Sequence, residues 1–364
     1  MKIVFFVDHL RHDGTQRKIR LLAEGLTARG HRCAIVCLNN SWDAELLKAL
    51  RQIPVDIRII GRPSLFTGIG IISTLFWLRH ERFDSAAMLL FASDVIGRPL
   101  ARVAGIRRIV TSTEARNIHY RPWQRWLLRR TARWTDAVLI NTHAAYDFVV
   151  KEEGANPRSI RYVPTSIRTG DFNQVFDCPT LRADLDIATT DVLMGCVGRL
   201  TYQKGFDLLV DTLALIPGRN IHLLIIGSGE EEQNLRAQAV ARGIAERVHF
   251  AGHRRDIAQL LGILNIYVHP SRWEGMPAAI VEAMAAGLPI IASAIDGNSE
   301  LIDGDRYGWL VPPDNSSRLA EVIQWVVDHP AEARLRGQAA RERAGREFDI
   351  DGTVALWESV LKGD

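Results

Sequence analysis

The sequence has few of the patterns that mark disulfide-rich, metal-binding or membrane-spanning proteins. Its 364 residues include four cysteines, Cys33, Cys37, Cys178 and Cys196, and no two of them have C-x-x-C spacing. We therefore expect reduced core thiols in a cytosolic protein, and neither a disulfide framework nor a zinc site. Every apolar run is too short to span a bilayer, which argues against an integral membrane protein.

The sequence also lacks a signal-peptide pattern and a large net charge. The apolar run in MKIVFFVDHL is interrupted by Asp8 and His9 and has no small-residue cleavage site, so it predicts a first β-strand. The net charge of +3 gives no global reason to bind a polyanion. No nucleic-acid-binding module accompanies the basic residues, and we do not expect nucleic-acid binding.

One local stretch departs from this even charge distribution. Residues 119–134, HYRPWQRWLLRRTARW, combine arginines with three tryptophans and contain no acidic residue. Such a composition suits a membrane interface with anionic head groups. The alternative is a helix whose Trp and Leu pack inward while its Arg face water.

Short β-rich runs alternate with helical patterns along the whole chain. This alternation predicts mostly parallel sheets covered on both faces, as in doubly wound, Rossmann-like domains. The predicted strands are 2–7, 32–38, 56–60, 85–91, 108–113, 137–140, 160–163, 192–198, 222–227, 247–252, 266–270, 289–293 and 308–312.

A polar, aperiodic stretch interrupts the alternation at residues 169–190 and predicts a linker. We therefore expect two similar α/β domains. The first comprises residues 1–168 together with about 349–364, and the second comprises residues 191–348.

The second domain contains a basic turn, GRLTYQKG (198–205), which follows a predicted strand and opens a helix. A helix start offers free N–H groups and the positive end of the helix dipole. Arg199 and Lys204 would add two cationic groups, so the turn suits a diphosphate. The alternative is a solvated Arg and Lys on a surface loop.

The next strand ends in IIGSGEEEQNL (225–235), which lacks the full G-x-G-x-x-G dinucleotide fingerprint. We interpret it as a tight turn with acidic residues at a helix start. The missing fingerprint also argues against an NAD-dependent oxidoreductase.

The stretch RWEGMPAAIVEAMAAGLP (272–289) places two glutamates eight residues apart. Pro277 suits the first helical position, so Glu274 precedes the helix near the N–H groups of Gly275 and Met276. Glu282 then lies about 7 Å along the axis, inside an otherwise apolar helix. Phosphates at the helix start, with Glu282 on a ribose and Glu274 on a sugar, would account for this pattern.

These motifs, with VGRL…KG before them and AAGLPIIAS…GNSELI…GWLVPP after them, resemble the family 4 glycosyltransferases. The resemblance implies the GT-B fold, two Rossmann-like domains facing a central cleft, with the last helix returning to the first domain. It implies that Arg199 and Lys204 bind the donor diphosphate, that Glu282 binds the ribose, and that Glu274 lies at the transferred sugar. Gly275, Met276 and Pro277 would contact donor hydroxyls or phosphates.

The first domain departs from the family pattern in two loops. The usual Gly-Gly loop reads HDGTQR (12–17), in which Gly14 is the single glycine. The loop after the fifth strand reads TSTEARN (111–117), similar to a variant in relatives that act on lipid-linked saccharides. Gly14, Glu114 and Arg116 are therefore substrate-binding candidates, with surface-loop positions as the alternative.

The function implied is retaining transfer of a hexose-type sugar, UDP- or GDP-linked, to a hydroxyl of a saccharide or lipid-linked saccharide in bacterial surface glycan synthesis. Arg199, Lys204 and Glu274 would be the catalytic residues, with no cofactor and no essential metal. We expect a cytoplasmic protein, peripheral at the membrane through residues 119–134. A GT-B nucleotide-sugar epimerase and a non-catalytic nucleotide-sugar-binding subunit are the alternatives.

Overall fold

The computed structural model describes residues 1–364 apart from 12–13, 115–119, 173–178, 184, 186 and 219, and leaves aside the side chains at 62, 66, 179 and 180. The chain forms two units. The first comprises Met1–Ser166 and Ile350–Asp364, and the second comprises Ile167–Asp349. The stretch interpreted as a linker contains a 3-10 turn at Thr169–Phe172 and a helix at Pro179–Ala183, both within the second unit.

The strands occur where the sequence predicted them, with ends that shift by one or two residues. They are β1 (Lys2–Val7), β2 (Arg32–Cys37), β3 (Val55–Ile59), β4 (Ser85–Leu89), β5 (Arg108–Thr113), β6 (Ala137–Ile140), β7 (Ile160–Tyr162), β8 (Val192–Val197), β9 (Ile221–Ile226), β10 (Val248–Gly252), β11 (Ile266–His269), β12 (Ile290–Ser293) and β13 (Trp309–Val311).

Helices connect these strands. They are α1 (Gly14–Ala28), α2 (Ala44–Arg51), α3 (Arg62–Phe66), α4 (Ile69–Glu81), α5 (Arg98–Val103), α6 (Pro122–Ala132), α7 (Ala145–Lys151), α8 (Pro179–Ala183), α9 (Phe206–Leu215), α10 (Glu232–Ala241), α11 (Ile257–Gly262), α12 (Ala278–Ala285), α13 (Asp296–Ile302), α14 (Ser316–Asp328), α15 (Pro330–Glu347) and α16 (Ile350–Lys362).

Each unit contains one parallel sheet, and the two sheets share the order of six strands, to which the first adds a seventh at one edge. The first sheet runs β3-β2-β1-β4-β5-β6-β7 and the second runs β10-β9-β8-β11-β12-β13. Neighbouring strands pair in parallel, for example Val4 with Ala34 and Met194 with Leu223. This is the doubly wound Rossmann order, in which the chain switches direction beside the first strand of each sheet. Ligands of such sheets bind at the carboxyl ends of the strands near that switch point.

Apolar side chains cover both faces of each sheet, because strands such as KIVFFV and IHLLII are buried along their length. The last helix, α16, packs on the first unit. Trp357 is fully buried with its ring centre 6.4 Å from that of Phe5, and the Ser85 hydroxyl donates to the Leu361 carbonyl at 2.7 Å.

The three cysteines that the structure describes, Cys33, Cys37 and Cys196, are buried free thiols. Burial raises the pKa of Cys196 to about 12 and that of Cys37 to about 11. Thiolates are therefore scarce at neutral pH, which makes these side chains poor nucleophiles. Cys178 lies outside the described residues.

Candidate active site

The carboxyl ends of β8 and β11 carry the two segments that the sequence singled out in the second unit. These strands are neighbours at the switch point of the sheet. Residues 198–205 follow β8, and residues 270–277 follow β11. The parallel arrangement therefore brings together two segments about 70 residues apart in sequence.

Gly205 makes the close approach of these segments possible. Its φ is +68°, a left-handed conformation that side chains disfavour, and a Cβ at this position would lie 2.4 Å from the Pro270 carbonyl oxygen. Beside it, the Arg272 N–H donates to the Gln203 carbonyl at 2.8 Å. The turn that carries Lys204 thus lies directly against the loop that carries Glu274.

Lys204 and Glu274 form a largely buried ion pair. The Lys204 ammonium donates to Glu274 Oε1, and the two side chains are 17% and 9% exposed. The Ser271 hydroxyl donates to the same oxygen at 2.9 Å, and His269 Nε2 lies 3.3 Å from it. Among the described residues, these three groups converge on one carboxylate oxygen.

This set of donors determines the charge of Glu274. Burial acts to raise the pKa of its carboxyl group, but the Lys204 charge and the hydrogen bond from His269 outweigh burial and hold the pKa at about 2. Glu274 is therefore ionised at neutral pH. It acts as a hydrogen-bond acceptor and cannot serve as a general acid.

His269 and Ser271 belong to this cluster, although the sequence analysis did not select either of them. Burial lowers the pKa of His269, so its ring is neutral at pH 7. The Tyr267 hydroxyl lies 3.2 Å from His269 Nδ1, which leaves Nε2–H to donate to Glu274. The signal available in the sequence was a polar residue, His269, at the carboxyl end of a buried strand.

Helix α12 begins one residue later than the sequence suggested. Pro277 is the N-cap, with ψ of 119°, and the first helical residue is Ala278. Glu282 is 3% exposed within this helix, so it does not occupy a solvated helix position. Burial raises the pKa of Tyr267, and the charges of Cys196, Glu282 and Glu274 raise it further.

A second close backbone contact holds the loop that precedes α12. A Cβ at Gly297 would lie 1.4 Å from the Gly275 carbonyl oxygen. Met276 and Pro277 are buried beside it. The start of α13 therefore supports the Gly275–Pro277 segment. The backbone N–H groups of Gly275 and Met276 are thereby held in place at the carboxyl edge of the second sheet.

Arg199 lies at the exposed start of the basic turn. Gly198 packs under the stem of Lys204, because a Cβ there would lie 3.5 Å from Lys204 Cδ. Arg199 and Lys204 therefore emerge from adjoining backbone. Glu274, which the sequence placed near the N–H groups of Gly275 and Met276, contacts Lys204, His269 and Ser271.

In the first unit, Glu114 is a partly buried member of a polar cluster, which excludes a simple surface-loop position. The Lys18 ammonium donates to Glu114 Oε1 at 2.8 Å, the Ser112 hydroxyl does so at 2.6 Å, and Asn141 Nδ2 lies 3.4 Å from Oε2. Burial acts to raise the pKa of Glu114, but Lys18 and Ser112 lower it below its ordinary value.

Two substrate-binding candidates of the first unit remain, Gly14 and Arg116, and the structure describes the first of them. Gly14 is the first residue of α1, and a Cβ there would meet nothing within 4 Å. Protein packing thus does not require glycine at this position. Arg116 lies outside the described residues.

A buried acidic cluster that the sequence did not predict lies near β5. Asp94 is 3.0 Å from the Arg98 guanidinium and accepts from the Thr111 hydroxyl at 3.1 Å. Burial nevertheless raises the pKa of Asp94 to about 7. Burial likewise raises the pKa of Glu153 to about 6, even though it accepts from the Thr113 hydroxyl. Both groups titrate close to physiological pH.

Within the arginine- and tryptophan-rich stretch, Pro122–Ala132 form α6. Trp123 and Trp126 are 53% and 55% exposed, so they do not pack inward as the alternative reading required. Arg125 pairs with Glu152 at 3.1 Å, and the Arg130 guanidinium lies 5.4 Å from the Trp126 ring centre. In the described part of the chain, no helix has the length and apolar character needed to cross a membrane.

Comparisons with known proteins agree with the fold and the motifs. The family described as "Glycosyltransferase Family 4" matches residues 12–171, and the family described as "Glycosyl transferases group 1" matches residues 177–343. Together these matches cover all but the two ends of the chain and a short internal gap.

Curated relatives are similar over most of the chain. The "Lipopolysaccharide core biosynthesis mannosyltransferase LpsB" of Rhizobium meliloti (strain 1021) is 27% identical over 74% of this chain and 76% of its own. The "UDP-Gal:alpha-D-GlcNAc-diphosphoundecaprenol alpha-1,3-galactosyltransferase" of Escherichia coli is 26% identical over 71% of this chain and 70% of its own.

Among solved structures, Anabaena Alr3699/HepE in complex with UDP and glucose is similar over the full length of both chains, with a TM-score of 0.88 and 21% identity. The fold is therefore GT-B. The family matches and the curated relatives show that the protein is a glycosyltransferase. The chain belongs to the family 4 glycosyltransferases, as its EGMP…E, VGRL and KG motifs indicated.

Proposed function

We propose that this glycosyltransferase moves a hexose from a nucleotide sugar to a hydroxyl of a saccharide or lipid-linked saccharide, with retention at the anomeric carbon, in bacterial surface glycan synthesis. The functions of the LpsB mannosyltransferase and the diphosphoundecaprenol galactosyltransferase support the acceptor class. The UDP and glucose in the HepE complex support a UDP-linked hexose.

The observation that carries the proposal is the Lys204–Glu274 pair, which Ser271 and His269 complete at the carboxyl edge of the second sheet. Glu274 stays charged, and its Oε2 has no hydrogen-bond partner within the described residues. A carboxylate oxygen of this kind suits a sugar hydroxyl. The Lys204 ammonium suits the diphosphate, whose negative charge grows as the bond to the sugar breaks.

In the proposed reaction, the bond between the anomeric carbon and the diphosphate oxygen breaks, and a bond to the acceptor oxygen forms on the same face of the sugar. The diphosphate oxygen takes the acceptor proton. Arg199, Lys204 and the N–H groups at the start of α12 stabilise the leaving diphosphate. Glu282 would bind the ribose, and Glu114 and Arg116 would contribute to the acceptor side. No essential metal is expected.

Nucleotide binding tests the donor site. UDP, GDP, ADP and CMP are compared by thermal shift on the wild type and on Glu282→Ala. A nucleotide at 100 times its dissociation constant should stabilise the folded protein by about 2.7 kcal/mol. We expect a shift with one nucleotide that Glu282→Ala loses. An equal shift in both proteins would contradict the role of Glu282, and no shift with any nucleotide would contradict the donor site.

The anomeric configuration of the product tests retention, and turnover in EDTA tests whether a metal is essential. With the matching nucleotide sugar and a saccharide acceptor, we expect NMR to show the donor's anomeric configuration in the product. We also expect turnover to persist in EDTA. An inverted product would contradict retention. Conversion of the donor with no acceptor present would favour the epimerase alternative.

We also propose that α6 contacts an anionic membrane surface. Trp123 and Trp126 are exposed on α6. Helix α5 packs against both α6 and α4, and α4 exposes Ile72 and Phe76, at 56% and 65%. Residues 119–134 carry basic residues without an acid, which complements anionic lipid. The protein should sediment with phosphatidylglycerol-containing vesicles and not with phosphatidylcholine vesicles. Replacing both Trp123 and Trp126 by Ala should release it, and unchanged sedimentation would contradict the contact.

A further inference from the structure

Arg272 connects the two segments that form the candidate donor site, and neither the sequence analysis nor the family motifs assign it a role. Its guanidinium donates to both Asp207 oxygens, at 2.9 and 2.6 Å, and to Asp314 Oδ1 at 2.7 Å. A further bond of 2.6 Å reaches the Tyr202 carbonyl. The Arg272 side chain is 8% exposed.

These contacts tie together three separate parts of the second unit. Tyr202 lies in the basic turn, Asp207 in the first turn of α9, and Asp314 in the loop after β13. The Arg272 guanidinium also lies 3.9 Å from the Tyr202 ring centre. One planar group with five donors satisfies all of these positions, which a lysine ammonium does not match geometrically.

The backbone adds two further bonds between the same segments. The Arg272 N–H donates to the Gln203 carbonyl at 2.8 Å, and Gln203 Nε2 donates to the Trp273 carbonyl at 2.9 Å. Lys204 directly follows Gln203, and Glu274 directly follows Trp273. Each member of the ion pair is therefore one residue from a bond in this network.

We propose that Arg272 is a positioning residue: by joining Tyr202 and Asp207 to the loop after β11, it sets the geometry of Lys204 and Glu274 for the donor diphosphate and sugar. The inference rests on the proposed function, since it assigns Arg272 to the donor site of that reaction. Arg272 itself does not need to touch the donor.

The test is a double-mutant cycle of Arg272→Lys and Lys204→Ala, measured by titration calorimetry with the nucleotide that stabilises the wild type. Arg272→Lys alone should weaken binding about tenfold, comparable to losing one charge-assisted hydrogen bond. In the Lys204→Ala background the same change should weaken binding less than about twofold, because its effect is transmitted through Lys204. A tenfold loss in both backgrounds would show an independent structural effect and overturn the proposal.

Two further variants keep the test decisive. Arg242→Lys is the matched control, because Arg242 makes an exposed hydrogen bond to Asp211 at 2.9 Å in the same unit. The nucleotide affinity of this variant should equal that of the wild type. If Arg272→Lys does not fold, Asp314→Asn removes one anchor and leaves the Asp207 pair intact. It should weaken binding about two- to threefold, a fraction of one charge-assisted bond. Unchanged affinity in Asp314→Asn would overturn the proposal.

Nucleotide binding by the wild type distinguishes failure of this inference from failure of the proposed function on which it rests. No binding of UDP, GDP, ADP or CMP by the wild type would overturn both proposals. Nucleotide binding by the wild type that Arg272→Lys leaves unchanged would overturn the role of Arg272 alone.

Discussion

Each unit holds a lysine–glutamate pair at the carboxyl edge of its sheet, and the surroundings of the two pairs differ. Lys204 and Glu274 lie on two loops of the second unit, where Ser271 and His269 also contact the carboxylate. In the first unit, Lys18 lies within α1 and contacts Glu114 at 2.8 Å. The Lys18 ammonium also lies 5.3 Å from the ring centre of the buried Trp357.

The difference separates a pair held between two packed turns from one that is anchored in the core. The Lys204–Glu274 pair lies on turns that pack closely at Gly205 and Gly297, so small backbone shifts there change the geometry of the pair directly. The Lys18–Glu114 pair is attached to α16 through Trp357. We therefore expect disruption of the first pair to lower turnover of the donor. Disruption of the second should lower stability and leave donor binding unchanged, which is separate from the acceptor role proposed for Glu114.

The largest expected effect is on turnover. Lys204→Ala should lower the rate of sugar transfer about 10²- to 10³-fold, because the variant loses a cation that faces charge developing in the transition state. Steady-state kinetics with a saturating acceptor measure this loss, and Lys204→Arg should recover part of it. A Lys204→Ala enzyme with the rate of the wild type would remove the proposed catalytic role.

Lys18→Met should act on stability. Removing one partner of a largely buried pair leaves Glu114 without its cation and should lower the free energy of unfolding by about 3 kcal/mol. Nucleotide affinity should stay at the wild-type value, since the donor site is proposed in the second unit. Urea unfolding and calorimetry measure the two quantities. Loss of affinity without loss of stability would reverse the assignment of the two pairs.

Gly297→Ala tests the support of the loop that precedes α12. The added methyl group would overlap the Gly275 carbonyl, so the loop must move, and we expect nucleotide binding to weaken about tenfold, roughly 1.4 kcal/mol. Gly345→Ala is the matched control, because a Cβ there meets nothing within 4 Å in α15. That control should be neutral or slightly stabilising. Equal affinity in both variants would show that the contact is dispensable.

The last effects concern the pH dependence of stability, and they have opposite signs in the two units. The pKa of Glu274 is lowered to about 2, so its contribution is present above pH 4.5 and is lost as the pH falls towards 2. The pKa of Asp94 is raised to about 7, so ionisation of the unfolded chain costs stability as the pH rises from about 4 to 7.

Denaturant titrations at several pH values show how the stability of two charge-removing variants, Glu274→Gln and Asp94→Asn, changes with pH relative to the wild type. The stability deficit of Glu274→Gln should shrink as the pH falls from 4.5 towards 2. Asp94→Asn should gain stability relative to the wild type as the pH rises from 4 to 7. Parallel curves for a variant and the wild type would show that the corresponding pKa is not shifted.

The sequence predicted the strands well because parallel strands buried on both faces appear as short apolar runs, such as KIVFFV and IHLLII. It also predicted a basic turn and two glutamates after strands of the second sheet, since Pro277 and the apolar helix made Glu282 conspicuous. His269 was missed because a histidine at a strand end has many structural roles. Its significance depends on Glu274 and Ser271 lying within hydrogen-bonding distance.

The sequence by itself determined the alternation of strands and helices, the family motifs and the identity of the charged residues. Only the tertiary structure decided which charges meet, because Lys204 reaches Glu274 and Lys18 reaches Glu114 across long sequence separations. It also decided their protonation. In Asp94 burial outweighs the Arg98 and Thr111 donors and raises the carboxyl pKa, whereas in Glu274 the Lys204 charge and the His269 hydrogen bond outweigh burial and lower it. Burial and donors both depend on packing between segments that are distant in the chain.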